Sequence, residues 1–193
     1  MRTSFKTITA AAVLGFATVG QAFAATELVN NGSFEAQVVA DDDALSITPS
    51  GWAVTGGSRL INPLAGSTQP APPVIDGDNY LRLMESSSLS QSLSSTANQQ
   101  YTLSFNYSLK TNHAAQVSVN GQTFSLDANK SSFSYTFSAA AASTQLSFST
   151  LTGRLQLDGV SVTAVPEPAA AAMLLAGLGL LAARRRQRGQ AQA

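Results

Sequence analysis

The 193-residue chain contains no cysteine, one histidine and one tryptophan, and only 11% of its residues are charged. Without cysteine the protein forms no disulfide bond or cysteine–metal site, and it has no thiol nucleophile. A Ser-His-Asp hydrolase would depend on His113, which lies in a predicted loop, and no Gly-x-Ser-x-Gly motif is present. We therefore interpret His113 as a surface residue and expect the protein not to be an enzyme.

The N-terminus has the three parts of a secretory signal peptide. Arg2 and Lys6 supply positive charge, residues 8–19 are apolar, and the small residues before Ala25 fit a cleavage site between Ala24 and Ala25. An uncleaved anchor helix is the alternative, which the short apolar run disfavours. Residues 1–24 therefore predict export by the Sec translocon and removal by signal peptidase.

Residues 25–164 have the length of one domain and hold ten acidic and five basic residues, a net charge of −5. Nucleic-acid binding needs a basic surface opposite the phosphates, so this acidic body argues against it. The composition suits an extracellular protein, and carboxylates are the ligands that calcium prefers.

The body alternates apolar and polar residues with a period of two, which indicates half-buried β-strands. The pattern covers Tyr101–Leu109, Phe133–Phe137 and Leu146–Phe148, with further strands at Tyr80–Met84 and Leu89–Leu93. Asn120-Gly121, between two short apolar–polar runs, is a strong hairpin signal. No window predicts an amphipathic helix. The predicted fold class is therefore all-β, an antiparallel β-sandwich or jelly roll, flanked by an N-terminal signal-peptide helix and a C-terminal apolar helix.

The two ends of the body carry recognisable motifs. It opens with Glu27–Glu35, which includes Asn-Gly-Ser-Phe-Glu, carries Gly51-Trp52, and closes with Leu155–Val162. The apolar parity changes at Asp158-Gly159, which predicts a β-bulge because glycine favours one. These motifs resemble the galactose-binding-like jelly roll, a fold shared by many carbohydrate-binding modules.

The resemblance implies that the first and last strands lie side by side and hold a structural calcium ion, with Glu35 and Asp158 as candidate ligands. Gly159 departs from the family pattern, in which a second aspartate stands at this position. The alternative is that both carboxylates are ordinary turn residues. Trp52 is a candidate for stacking on a sugar ring, and the competing interpretation places it in the core.

Two acidic clusters are present, at Asp41–Asp43 and Asp76–Asp78. The first lacks the spacing of an EF-hand loop, so we interpret it as a solvated loop. The second combines aspartate with glycine and predicts a turn. Residues 40–51 and 62–73 are expected to be long loops.

The C-terminus combines Val165-Pro166-Glu167-Pro168, an apolar run at residues 169–183, and a cluster that includes Arg184, Arg185 and Arg186. As a helix, the 15-residue run would span about 22 Å, short of the roughly 30 Å of a bilayer core. The three parts in this order resemble the PEP-CTERM sorting signal of Gram-negative bacteria.

That resemblance implies a signal at residues 165–188, recognised by an exosortase after transient membrane insertion, with a polar tail at 189–193. The protein would be anchored in the inner membrane before processing, and would lie at the cell surface or outside the cell after it. A plain C-terminal anchor is the alternative.

We therefore predict an exported, non-catalytic surface or extracellular-matrix protein sorted by an exosortase. The alternatives are a secreted carbohydrate-binding module that binds polysaccharide and a glycoside-acting enzyme, whose chemistry would need a pair of carboxylates.

Overall fold

The computed structural model describes residues 26–63 and 76–166, together with the helical residues Ala176, Gly177, Gly179 and Leu180. The predicted signal peptide with Ala24 and Ala25 lies outside these residues. So do Glu167, Pro168 and Arg184–Arg186 of the sorting signal and most of the predicted loop at residues 62–73. In the described part of the chain, no helix has both the length and the hydropathy needed to cross a membrane.

The described body is an antiparallel β-sandwich of two sheets. Its strands are β1 (Asp43–Leu45), β2 (Ala53–Thr55), β3 (Ser58–Asn62), β4 (Tyr80–Leu83), β5 (Ser87–Ser94), β6 (Gln100–Leu109), β7 (Ala114–Val119), β8 (Gln122–Ser125), β9 (Ser132–Ser138), β10 (Ser143–Thr152) and β11 (Leu155–Ala164). One sheet has the order β1-β3-β4-β11-β6-β9, and the other has the order β2-β5-β10-β7-β8. The predicted all-β sandwich is confirmed, while the predicted terminal helices lie largely outside the described residues.

The period-two pattern correctly separates core from surface. On β6 the side chains of Tyr101, Leu103, Phe105, Tyr107 and Leu109 are buried, while the hydroxyl and amide residues between them are partly exposed. The buried rings of Phe105 and Phe148 meet edge to face across the two sheets, with centroids 5.0 Å apart. Edge-to-face contact of this kind adds to the stabilisation that apolar burial provides.

The predicted hairpin turn and the predicted β-bulge are both confirmed. Asn120 and Gly121 have φ angles of 50° and 77°, the left-handed conformation of a type I′ hairpin turn between β7 and β8. On β11 the register with β6 shifts between Asp158 and Ser161, and Gly159 has a φ of 58°. The bulge therefore lies where the apolar parity changes.

Three short strands near the start of the body, β1, β2 and β3, are not predicted from the sequence. Residues 40–51 were expected to be a loop, but Asp43–Leu45 pairs with Asn62–Leu60 of β3 at the edge of the larger sheet. β3 in turn pairs with β4. The expectation was wrong because a three-residue strand carries too little alternation to be recognised in a sequence, and its partners lie fifteen to nineteen residues away.

The N-terminal segment lies along β11 where β4 does not reach. The Leu28 N–H donates to the Val162 carbonyl at 2.9 Å, and the Val160 N–H donates to the Gly32 carbonyl at 3.0 Å. The predicted adjacency of the first and last segments of the domain is therefore present.

The sandwich has two ends, which we name the tail end and the loop end. At the tail end β11 finishes at Ala164, and the Val165 N–H donates to the Gln100 carbonyl at 2.9 Å. At the loop end lie the connections β4–β5, β6–β7 and β10–β11. Ten residues of β11 separate the two ends, about 33 Å at the usual rise of a strand.

Candidate functional site

Trp52 lies in the core. Its side chain is 6% exposed, and its ring contacts Phe34 and Phe148 at centroid distances of 5.9 and 6.2 Å. The indole Nε1–H donates to the Asn31 carbonyl at 3.0 Å, so the polar atom of the ring is satisfied internally. No ring face is available to a sugar, and the structure therefore favours packing over the stacking role considered for Trp52.

Glu35 and Asp158 both hold the turn at Asp76–Asn79. Glu35 Oε1 accepts the Asp78 and Asn79 N–H groups at 2.9 and 2.6 Å, and Oε2 accepts the Asn79 Nδ2–H at 2.7 Å. Gly77 lies against the same carboxylate, since a Cβ on it would approach Glu35 Cδ to 2.7 Å. We call Glu35, Asp158 and this turn the carboxylate clamp.

Asp158 is the buried member of the carboxylate clamp. It is fully inaccessible to solvent, and its two oxygens accept the N–H groups of Asp76 and Gly159 at 2.6 and 2.7 Å. Burial raises the pKa of Asp158 to about 7, the two N–H donors oppose this, and the negative charges of Asp76 and Glu35 add to the rise.

The carboxylate clamp has the oxygen chemistry of a calcium site but not its geometry. All four carboxylate oxygens of Glu35 and Asp158 already accept N–H groups. Calcium takes six to eight oxygen ligands. Within residues 26–63 and 76–166, no three Asp, Glu or His side chains converge as metal ligands. As described, these residues do not fit the ion. Calcium binding by Glu35 and Asp158 therefore stays a prediction from the sequence.

The acidic cluster Asp41–Asp43 is exposed at the start of β1. Asp42 and Asp43 border a cavity of about 140 Å³, which Arg59 and Arg82 also line. Arg82 is 8% exposed, and its guanidinium donates to Tyr80 Oη at 3.0 Å. Oppositely charged side chains at the edge of the larger sheet therefore line this cavity, and its volume is too small for a sugar chain.

A cleft of about 460 Å³ opens at the loop end. Its volume lies in the range of small-molecule binding sites, about 300–1,000 Å³. Three connections that are distant in sequence build it, and we name it the end cleft. It is lined by Met84, Glu85, Lys110, His113, Gly153, Arg154 and Gln156.

His113 and Gly153 fix the wall of the end cleft. Gly153 has a φ of 72°, and a Cβ on it would lie 2.1 Å from the His113 ring, so only glycine allows this contact. His113 Nδ1 lies 3.1 Å from both the nitrogen and the carbonyl oxygen of Arg154. A neutral ring accepts the Arg154 N–H through Nδ1, which leaves Nε2 as a hydrogen-bond donor.

The charged groups of the end cleft are exposed and unpaired. Glu85, Lys110 and Arg154 are solvent-exposed, and in the described structure their charged groups make no ion pair or hydrogen bond. Only one of these three groups is a carboxylate, whereas glycoside hydrolysis ordinarily uses two. The arrangement can donate and accept hydrogen bonds in solvent, which is the chemistry of a polar binding site.

The sequence predicts the loop that holds His113 but does not predict the end cleft. The lining residues come from segments up to about seventy residues apart, and none belongs to a recognisable motif. The three connections meet only because of the strand order of the two sheets. No signal in the sequence alone identifies this set.

Residues 27–158 match the model of the family described as protein of unknown function (DUF642). The chain belongs to the DUF642 family. The match begins with Glu27 and ends with Asp158, so it covers the body from the opening motif to the carboxylate clamp. The PEP-CTERM protein-sorting motif matches residues 164–188, which confirms the interpretation of the tail and implies export with sorting by an exosortase. No curated protein matches the chain significantly.

Solved structures share the fold of the DUF642 domain at low sequence identity. TmCBM61, solved with beta-1,4-galactotriose, is 13% identical over 72% of this chain and 99% of its own, with a TM-score of 0.50. The enzymatically active domain of tailspike protein 4 from bacteriophage CBA120 is 12% identical, with a TM-score of 0.52. The match covers 72% of this chain and 21% of the tailspike chain.

The CBM22-1 xylan-binding domain of Paenibacillus barcinonensis Xyn10C is 16% identical over 68% of this chain and 100% of its own, with a TM-score of 0.42. At these identities the likeness establishes the jelly-roll fold alone.

Proposed function

We propose that the protein is an exported, non-catalytic surface protein that binds polysaccharide of the extracellular matrix through the end cleft. The observation that carries this proposal is the position of the cleft, at the opposite end of β11 from the sorting signal. Arg154 and Gln156 line the cleft just before and within β11, and Val165 follows the strand at the tail end.

This arrangement favours an outward-facing cleft while the protein is anchored. Only residues 166–168 separate Val165 from the apolar run at residues 169–183, a span of about 10 Å when extended. The tail end therefore lies beside the membrane, and the end cleft lies on the far side of the body. A polymer outside the cell reaches it there.

The polar lining of the end cleft also supports a sugar ligand. Sugars offer many hydroxyl groups. The side-chain oxygens of Glu85 and Gln156 can accept hydrogen bonds from them, and the Lys110 ammonium can donate hydrogen bonds to them. The fold-sharing neighbour TmCBM61 was solved with a galactotriose, so the fold is compatible with glycan binding. The structure of the jelly roll alone does not decide function, and the cleft is the feature to test.

A glycan array probed with the full-length chain in mild detergent tests the proposal. We expect binding that free glycan competes away and that Lys110→Gln weakens. Lys130→Gln is the matched control, because it removes one exposed lysine outside the cleft. Absence of binding to any glycan, or equal loss in both variants, would contradict the proposal.

Catalysis is tested separately with the same protein. We expect no hydrolysis of any polysaccharide that binds. Hydrolysis that survives repurification and disappears in Glu85→Gln would instead favour a glycoside-acting enzyme, with the second carboxylate to be sought outside the lining residues.

A further inference from the structure

We infer that the ligand of the end cleft is an acidic polysaccharide whose sugars carry single carboxylates, a polyuronate. The inference rests on the proposed function and names its ligand class. The body has only five basic residues, and two of them, Lys110 and Arg154, line this one cleft.

The two cations are available to a ligand. In the described structure neither guanidinium nor ammonium group is neutralised by an ion pair, although Glu85 lines the same cleft. Both are exposed, so they retain water that a ligand carboxylate can replace. An arginine guanidinium binds a carboxylate through two parallel hydrogen bonds, and a lysine ammonium acts as a compact charge.

The balance of charge in the end cleft suits one negative charge per sugar. Two cations and one carboxylate give a formal charge of +1 with His113 neutral. Glu85 repels a second negative charge but accepts hydrogen bonds from sugar hydroxyls. A uronate residue offers both groups, a carboxylate and neighbouring hydroxyls, whereas a densely sulfated chain offers mainly anions.

Because the body as a whole is acidic, binding of a polyanion at the end cleft can be distinguished from non-specific electrostatic binding. The body carries a net charge of −5, so its surface as a whole repels a polyanion. At physiological salt that repulsion is screened beyond about 8 Å, while contacts inside the cleft are not. Retention of a polyanion therefore requires the local cations.

The experiment compares alginate, a linear polyuronate, with its neutral propylene glycol ester and with dextran sulfate, each immobilised and probed with the full-length chain. We expect retention on alginate only. Lys110→Gln and Arg154→Gln are each expected to weaken retention about ten- to a hundred-fold, because each removes a charge-assisted contact. Arg59→Gln, which removes an exposed arginine outside the cleft, is expected to bind as the wild type does.

The outcomes separate this inference from the function it rests on. Binding to the ester or to neutral glycans but not to alginate overturns the polyuronate inference and leaves glycan binding intact. Tighter binding to dextran sulfate, or equal loss in Arg59→Gln and the cleft variants, also overturns it. Absence of binding to every glycan overturns both. Unchanged melting temperatures of the three variants establish that a loss comes from contact and not from unfolding.

Discussion

Gly32 lies so close to Val160 that a Cβ on it would sit 1.8 Å from the Val160 carbonyl oxygen. The contact joins the N-terminal segment to the bulge of β11, where the Val160 N–H donates to the Gly32 carbonyl. The glycine of the opening motif is therefore needed for close approach of two backbones.

We expect Gly32→Ala to lower the free energy of unfolding by about 3 kcal/mol, because backbone atoms must move to admit the methyl group. Urea denaturation measures this. Gly57→Ala is the control, since its Cβ would meet only the flexible Met84 side chain at 3.2 Å. Equal effects of the two substitutions would show that the close approach is not what Gly32 provides.

The pH dependence of stability is expected to report the burial of Asp158. Burial raises its pKa from 3.8 to about 7, so between these values the folded protein holds a proton that the unfolded chain has released. This contribution is fully present below about pH 4 and is lost as the pH rises towards about 7. Melting temperature is therefore expected to fall over this interval, measured by circular dichroism.

Asp158→Asn isolates the effect of that carboxyl. The amide cannot titrate and loses one acceptor for the Asp76 or Gly159 N–H, so the variant is expected to be less stable but with a flatter pH profile. Asp42→Asn serves as the exposed control. A variant that kept the wild-type slope would assign the pH dependence to other groups.

Chelation tests the calcium prediction for Glu35 and Asp158. Because N–H groups already occupy their carboxylate oxygens, we expect the melting temperature in EGTA to equal that in calcium. The measurement is a calorimetric scan of the full-length chain, with magnesium as the control ion. A marked loss of stability in EGTA, restored by calcium alone, would show that the carboxylate clamp rearranges around the ion.

Trp52 is expected to act through packing. Trp52→Phe keeps an aromatic ring but loses the hydrogen bond to the Asn31 carbonyl, so it should cost about 1–2 kcal/mol of unfolding free energy. Glycan retention should be unchanged at temperatures where the variant is folded. Loss of binding with unchanged stability would reinstate a direct role for this ring.

Processing of the tail is expected to leave Val165 on the mature protein. The Val165 N–H and carbonyl are held by Gln100 and by the Gln99 side chain, each at 2.9 Å, so the chain up to this residue is part of the folded sheet edge. A peptidase needs an extended segment that is not hydrogen-bonded into a sheet. Along the tail, the first peptide bond beyond the hydrogen-bonded Val165 is the one that follows this residue. Intact mass from the native host should give a C-terminus between Val165 and Pro168. A C-terminus before Val165, or a retained Arg188, would contradict this.

The sequence predicted the features that depend on neighbours along the chain. Alternation assigned the faces of β6, the Asn120-Gly121 pair located a hairpin, and the parity change located the bulge at Gly159. Each follows from backbone geometry over a few residues.

The features that the sequence does not predict depend on residues that are distant along the chain. The carboxylate clamp joins Glu35 to a turn more than forty residues away, and a turn motif does not reveal which carboxylate will hold it. The end cleft assembles from three connections with ordinary loop residues. Such sites become visible only once the strand order is known.

β11 connects the end cleft, the proposed polysaccharide site, to the sorting signal, since it begins beside the cleft and ends at Ala164, just before Val165. A force between a polymer held in the cleft and an anchored tail acts along this strand. Its hydrogen bonds to β4 and β6 run across the direction of pull, so the load falls on many of them together. Such a force would therefore pull β11 along its own axis and would have to break its hydrogen bonds together, which is the direction in which a β-sheet resists extension best.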